Sequence, residues 1–104
     1  PVAAYAIVDV DIFDIADYLQ YQQAVRPMLA SVNARYLVRG GEFEVLEGDI
    51  QPLRLIVIEF PSLEVLQDFY HSDAYQALEP QRKACSRATV VAVRGINDNS
   101  STGN

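Results

Sequence analysis

Residues 53–75, with the sequence LRLIVIEFPSLEVLQDFYHSDAY, constrain the fold most, because a proline separates an apolar strand from an amphipathic helix. Side chains alternate along a strand, and both faces are apolar here, which is typical of a strand covered on both sides. Pro61 ends the strand, and Ser62 is placed to cap the following helix. Apolar residues then recur every three or four positions up to Leu78, and Ser72 offers a second cap.

The remaining segments add three strands and one helix. A long helical stripe begins at the capping residue Asp14 and contains Pro27, which we expect to kink or split the helix. The second strand is interrupted at Gly40 and Gly41, because paired glycines indicate a bulge or a close backbone approach. The predicted strands are residues 3–10, 35–39 continued by 42–47, 53–60 and 88–94. Residues 1–95 are predicted to form a single domain, followed by a polar, disordered tail over residues 96–104.

The resulting order, β-α-β-β-α-β, predicts a ferredoxin-like α+β fold. In that fold a four-stranded antiparallel sheet carries two helices on one face, and right-handed crossovers bring the first and third strands together. We expect this central pair to run parallel. Residues 7–8, 55–58 and 90–91 are apolar on both sheet faces. Because a monomer rarely exposes a contiguous apolar face, a second copy is expected to cover it and form a homodimer.

Composition argues against several partners and cofactors. The 104 residues carry a net charge of −6, which disfavours nucleic acid and anionic membranes. No apolar run approaches the roughly 20 residues of a membrane span, and no signal segment opens the chain, so a cytoplasmic protein is expected. The single cysteine, Cys85, cannot form an internal disulfide, and we assign it a structural role. One cysteine and one histidine cannot complete a zinc site, and no glycine-rich phosphate loop occurs, so we expect no cofactor or metal.

Asp9, Arg39 and Glu59 are candidate catalytic residues. If the first and third strands run parallel, these side chains meet at the sheet end where both helices begin. An arginine can hold a substrate carboxylate or enolate, and a carboxyl group with a pKa raised by burial can act as a base. The alternative is a partly exposed ion pair that contributes little.

His71 is the fourth candidate catalytic residue, because an imidazole titrates near neutral pH and serves as a base or as a haem ligand. The alternative is a surface histidine that turns away from the helix stripe. Tyr18, Tyr36 and Tyr70 are candidates for ligand contact. Core packing is the alternative for Tyr18 and Tyr70, and for Tyr36 the alternative is a position facing the second copy. Tyr21, three residues after Tyr18, is expected to turn partly outward.

Four segments carry a resemblance to a known family: RYLVRGG at residues 35–41, EVLEG at 44–48, LIVIEFPS at 55–62, and Phe69-Tyr70 with Ser72 and Tyr75. Together they resemble the domain of unknown function numbered 1330 over residues 3–95. That family is similar to the dimeric α+β barrel superfamily, which includes cofactor-free monooxygenases, muconolactone isomerase-like enzymes and haem-degrading proteins. The resemblance implies a dimer whose ligands sit between sheet and helices, and the haem role of His71 resembles that of a helix histidine in the haem-degrading relatives.

These observations favour a homodimeric small-molecule-binding domain or a cofactor-free, monooxygenase- or isomerase-like enzyme for a small organic acid or quinone-like compound. The alternatives are a non-catalytic binding or structural module and a haem-binding protein. Pro1 also resembles the amino-terminal proline base of tautomerases, but nothing else here matches their pattern. A pocket with converging perturbed carboxylates would favour an enzyme. A pocket filled by Tyr18, Phe69 and Tyr70 would favour a binding module.

Overall fold

Four strands and three helices succeed one another in the computed structural model, which describes residues 2–97. The strands are β1 (Ala4–Ile12), β2 (Arg35–Arg39), β3 (Leu55–Phe60) and β4 (Ser86–Arg94), and the helices are α1 (Ile15–Ser31), α2 (Leu63–Tyr70) and α3 (Asp73–Cys85). The predicted ferredoxin-like α+β fold is confirmed. Pro1 lies outside the described residues, as does the predicted tail from residue 98 onward.

The sheet has the order β2-β3-β1-β4, and every neighbouring pair is antiparallel. The expected parallel pairing of β1 with β3 is therefore wrong. The chain returns through α1, so β2 runs parallel to β1. It then turns back after β2, so β3 runs antiparallel to both β1 and β2. As a result Tyr5 lies opposite Glu59, whereas Asp9 lies opposite Leu55. Asp9 and Glu59 are thus at opposite ends of the strand pair.

The predicted caps begin all three helices. The side chains of Asp14, Ser62 and Ser72 accept hydrogen bonds from backbone N–H groups three residues ahead, at 3.2, 3.1 and 3.2 Å. Ser72 separates α2 from α3, so two helices form where the apolar pattern runs on as a single stripe. The helix α1 continues through Pro27, and the predicted split is wrong. No helix within residues 2–97 is long and apolar enough to cross a membrane.

The strand β2 ends at Arg39, and residues 42–47 do not form the predicted extension. Gly40 has φ +75° and turns the chain, while its N–H donates to the Leu55 carbonyl at 2.8 Å. The bulge lies earlier than predicted, between Tyr36 and Val38, so that Tyr36 pairs with Ile58 and Val38 with Val57. Residues 35–39 occupy the pairing positions on β3, which leaves residues 42–47 without a strand partner.

The core lies between the helices and one face of the sheet, here called the inner face. Its buried residues are Ala4, Ala6, Val10, Ile56 and Phe60 from the strands, Tyr18, Tyr21, Val25 and Leu29 from α1, Leu66 from α2, Tyr75 and Cys85 from α3, and Ala34 before β2. Burial raises the pKa of the Cys85 thiol, so the thiol is a poor nucleophile at neutral pH.

The opposite sheet face, here called the outer face, carries an apolar row that crosses all four strands. Val38 lies opposite Val57, Val57 opposite Ile7, and Ile7 opposite Val91. Ile7 is 43% exposed and Val91 is 57% exposed. No helix of the described chain covers this row, because the helices contact the inner face.

Gly40→Ala should lower the free energy of unfolding by about 1–2 kcal/mol, because a Cβ is unfavourable at positive φ. The new methyl group would also meet the Arg54 guanidinium, although that flexible side chain can move. Gly41→Ala is the matched control, since nothing lies within 4 Å of the point that its new methyl group would occupy. Urea denaturation measures both variants, and equal losses would contradict the assigned role of Gly40.

Candidate functional site

A partly open cavity of about 80 Å³ lies between the inner face of the sheet and the helices. Its floor is formed by small side chains, including Ala6 and Val8 of β1 and Ala88 of β4. Larger residues at these positions would fill the space beneath the helices. The walls are mostly aromatic and aliphatic, and the polar groups that reach the cavity come from Tyr18, Tyr21, Tyr36, Tyr70, Tyr75 and Arg82. The strand and helix patterns therefore leave an apolar cleft with a few hydrogen-bond donors.

The centre of the site is a pair of buried tyrosines from α1 and α3. The hydroxyls of Tyr21 and Tyr75 are 2.9 Å apart and share a hydrogen bond. Tyr18 lies one helical turn before Tyr21, and their ring centroids are 5.6 Å apart. Burial raises the pKa of Tyr18 to about 12, and burial also raises the pKa of Tyr21. These phenols stay protonated at neutral pH, so Tyr18 and one of the two hydroxyls in the Tyr21–Tyr75 pair can donate hydrogen bonds to a ligand.

Arg82 brings a positive charge into this apolar site. The residue is 7% exposed, and its guanidinium Nη2 lies 3.4 Å from Glu79 Oε2. Glu79 also accepts a hydrogen bond from the Tyr70 hydroxyl at 2.8 Å and pairs with Lys83 at 3.4 Å. Burial raises the pKa of Glu79, but Tyr70, Lys83 and Arg82 outweigh burial and hold the pKa below its usual value. Glu79 is therefore a fixed counterion and a poor proton donor.

The Arg82 Nε is buried and has no hydrogen-bond partner within the described chain. A buried donor without an acceptor costs about 1–3 kcal/mol. Arg82 lines the cavity, but its Nε is inaccessible to water, so an acceptor oxygen on a bound molecule would reach that atom only after the side chain shifts. The arrangement is suited to a ligand that places an oxygen near Arg82 and an apolar body among the tyrosine rings.

Asp9, Arg39 and Glu59 do not form the predicted cluster. Asp9 accepts backbone hydrogen bonds from Leu53 at 2.9 Å and Arg54 at 3.3 Å, and so fixes the entry to β3. Glu59 pairs instead with Arg35 at 2.7 Å and accepts from the Tyr5 hydroxyl at 3.3 Å. The antiparallel register separates the two carboxylates.

Arg39 and His71, the other two predicted catalytic residues, lie in different surroundings. The Arg39 guanidinium stacks over the Tyr36 ring at 5.0 Å and does not line the cavity. His71 is exposed at the end of α2, where its ring meets that of Tyr70 edge-on at 5.3 Å. Neither Arg39 nor His71 therefore meets the tyrosine pair. No group of three or more histidine, cysteine, aspartate or glutamate residues suited to a metal occurs within residues 2–97.

Tyr18, Tyr36 and Tyr70 do line the cavity, as the proposed ligand contacts would require. The expectation for Tyr21 is wrong, because Tyr21 is 7% exposed and faces Tyr75. The sequence pattern did not predict a role for Arg82, because the predicted apolar stripe ends at Leu78 whereas α3 continues to Cys85. The spacing of Tyr75, Glu79 and Arg82, at intervals of four and three, was the available signal for one polar helix face.

Stability should fall in alkaline solution because folding raises the pKa of Tyr18 from 10.0 to about 12. The folded protein holds this proton more tightly than the unfolded chain, so the unfolding free energy falls as pH rises from about 10 towards 12 and is unaffected by this group below that range. Urea denaturation between about pH 8 and about pH 11.5 measures the effect. Tyr18→Phe should make the unfolding free energy fall less steeply with pH. An unchanged slope would contradict the assignment of this effect to Tyr18.

Solved structures with the same fold extend over nearly the whole chain. A protein of unknown function from Rhodopseudomonas palustris has a TM-score of 0.74 at 13% identity, covering 92% of this chain and 84% of that chain. SnoaB, a cofactor-independent oxygenase from Streptomyces nogalater, has a TM-score of 0.65 at 7% identity, covering 95% and 98%. A dimeric ferredoxin-like protein of unknown function from Jannaschia sp. CCS1 has a TM-score of 0.64 at 12% identity, covering 88% and 97%.

Identities this low support a shared fold, but they do not show that these proteins share a chemical activity. The comparison with curated proteins gave no match. A family model, described as a domain of unknown function, matches residues 3–96, which confirms the resemblance carried by the strand and helix segments. The chain belongs to the DUF1330 family.

Proposed function

We propose that this protein is a homodimeric binding domain for a compact, largely apolar ring compound that carries an acceptor oxygen. The observation that carries the proposal is Arg82, a cationic side chain that is only 7% exposed and that lines an otherwise largely apolar cavity. A ligand oxygen close to this guanidinium would offset part of the cost of burying its charge, whereas a filled hydrophobic core would gain nothing from a buried guanidinium.

The size of the cavity limits the ligand. An engineered apolar cavity of roughly 150 Å³ accommodates benzene. The cavity here is about 80 Å³, so a single ring fits only if side chains shift or if part of the ligand remains in the open mouth. A porphyrin is much larger, and exposed His71 does not line the cavity, so we do not favour haem binding.

The groups at the cavity favour binding over proton abstraction. Its described lining includes no histidine or carboxylate, and the phenols of Tyr18 and Tyr21 have raised pKa values. A general base at neutral pH needs a pKa near that pH. Donors alone can still stabilise a negative oxygen that develops on a bound molecule. A cofactor-free enzyme, as SnoaB is described, is therefore the second candidate function, with Arg82 as the oxyanion partner.

The dimer is proposed to form through the outer face. The apolar row through Val38, Val57, Ile7 and Val91 crosses the entire sheet and is not covered by the described chain. Several structural neighbours, including the Jannaschia protein, are described as dimeric. Self-association of the outer faces about a two-fold axis would remove this row from water.

Val91→Arg should dissociate the dimer, raising its dissociation constant by at least about 100-fold, because the two-fold axis places two new charges in an apolar interface. Leu19→Arg is the matched control, since Leu19 is 48% exposed on α1 and Val91 is 57% exposed on the outer face. Analytical ultracentrifugation measures both. Dissociation by Leu19→Arg with an intact Val91→Arg dimer would place the interface on the helices and contradict the proposal.

Native mass spectrometry of gently purified protein tests the ligand proposal. We expect a dimer that carries a reproducible small mass. Ala88→Leu, which fills the cavity floor, and Arg82→Gln, which removes the cation, should each lower occupancy by about tenfold or more. Ala92→Leu is the control, because Ala92 lies on the same strand outside the described lining. Full occupancy in folded Ala88→Leu protein would contradict the site.

A further inference from the structure

A second, more polar depression shares part of its lining with the cavity. This depression, here called the vestibule, has a volume of about 540 Å³ and is lined by Phe13, Tyr70, Arg82, Lys83, Ser86, Arg87, Ala88 and Val90. Tyr70, Arg82, Ala88 and Val90 line the cavity as well. The two spaces therefore lie side by side along these four residues.

The vestibule is basic on a chain whose net charge is −6. Arg82, Lys83 and Arg87 are three of the eight lysine and arginine residues, and the described residues that line the vestibule include no carboxylate. Glu79 partly neutralises Arg82 and Lys83, each at 3.4 Å. Arg87 makes no ion pair within residues 2–97. Arg87 thus lines the vestibule without a carboxylate of the described chain at ion-pair distance, and the nearest acidic residue across the sheet is its strand partner Asp11.

Local structure fixes these cations. The last turn of α3 carries Arg82 and Lys83, and β4 begins at Ser86 without an intervening loop, which places Arg87 close behind them. The Arg87 guanidinium lies 5.5 Å from the centroid of the Phe13 ring. Phe13 is 57% exposed, and its N–H donates to the Cys85 carbonyl at 2.8 Å. An apolar ring and two exposed cations are thus held together in the vestibule.

We propose that the ligand is a ring compound with a short carboxylate-bearing substituent, whose ring enters the cavity and whose carboxylate lies in the vestibule against Lys83 and Arg87. This inference rests on the proposed function and adds a substrate class to it. In this arrangement the substituent passes Arg82, which lines both spaces. A neutral ring compound would leave the two outer cations in water, where they contribute nothing to its affinity.

Phenylacetate and phenylacetamide test the inference, because they share ring and shape and differ in charge. Calorimetric titration of the full chain should give an affinity for phenylacetate that is about tenfold higher, as expected when an acceptor with a full charge meets charged donors. The preference should shrink with added salt because the outer cations are exposed. A Lys83→Met/Arg87→Met double variant should bring the ratio close to one by lowering the affinity for phenylacetate far more than the affinity for phenylacetamide.

Arg94→Met is the control for general charge, since Arg94 is exposed on the same strand and lies outside the vestibule. An equal loss of phenylacetate affinity in Arg94→Met would overturn the inference. Equal binding of both compounds to the unmodified chain would overturn it while leaving the proposed function intact. Binding of neither compound would overturn both. Phenylacetate binding that persists in Ala88→Leu would place the anion in the vestibule without the cavity and also overturn the inference.

Discussion

The central position of β1 is the constraint on which the remaining structure depends. The strand has an antiparallel partner on each side, with Ile7 opposite both Val57 and Val91. Alternation then assigns its residues to two different environments. Ala6 and Val8 line a cavity under the helices because they are too small to fill it, whereas Ile7 contributes to an apolar row on the outer face. One strand therefore accounts for both the candidate binding site and the candidate interface.

Polar groups within the site are arranged around Glu79. Its carboxylate accepts from Tyr70 and pairs with Arg82 and Lys83, so three donors from α2 and α3 converge on one acceptor. This arrangement compensates most of the positive charge that Arg82 brings into the core. The compensation is incomplete at Arg82 Nε, and no ion pair within residues 2–97 compensates the charge of Arg87. The electrostatics of the site thus favour an incoming acceptor over an incoming donor.

Local patterns predicted the fold well, because Asp14, Ser62 and Ser72 cap helices wherever short polar side chains precede apolar stripes. The site was predicted poorly, since the direction of a strand depends on the path of the intervening chain. A parallel pairing of β1 with β3 brought Asp9 to Glu59, whereas the antiparallel register separates them. The spacing of Arg82 from Tyr75 and Glu79 indicates a polar helix face but does not show that the face is buried. Its burial follows from the packing of α3 on α1, which a single sequence does not reveal.

Because side chains alternate along β4, this strand borders both the cavity and the outer face of the sheet. Ala88 and Val90 contact the cavity, while the intervening Thr89 and the following Val91 belong to the outer face. A displacement of this edge strand by the proposed partner would also move the cavity wall. The proposed assembly and the affinity for the proposed ligand would then be thermodynamically linked, and by reciprocity a ligand that fits the assembled form would tighten the association of the two copies.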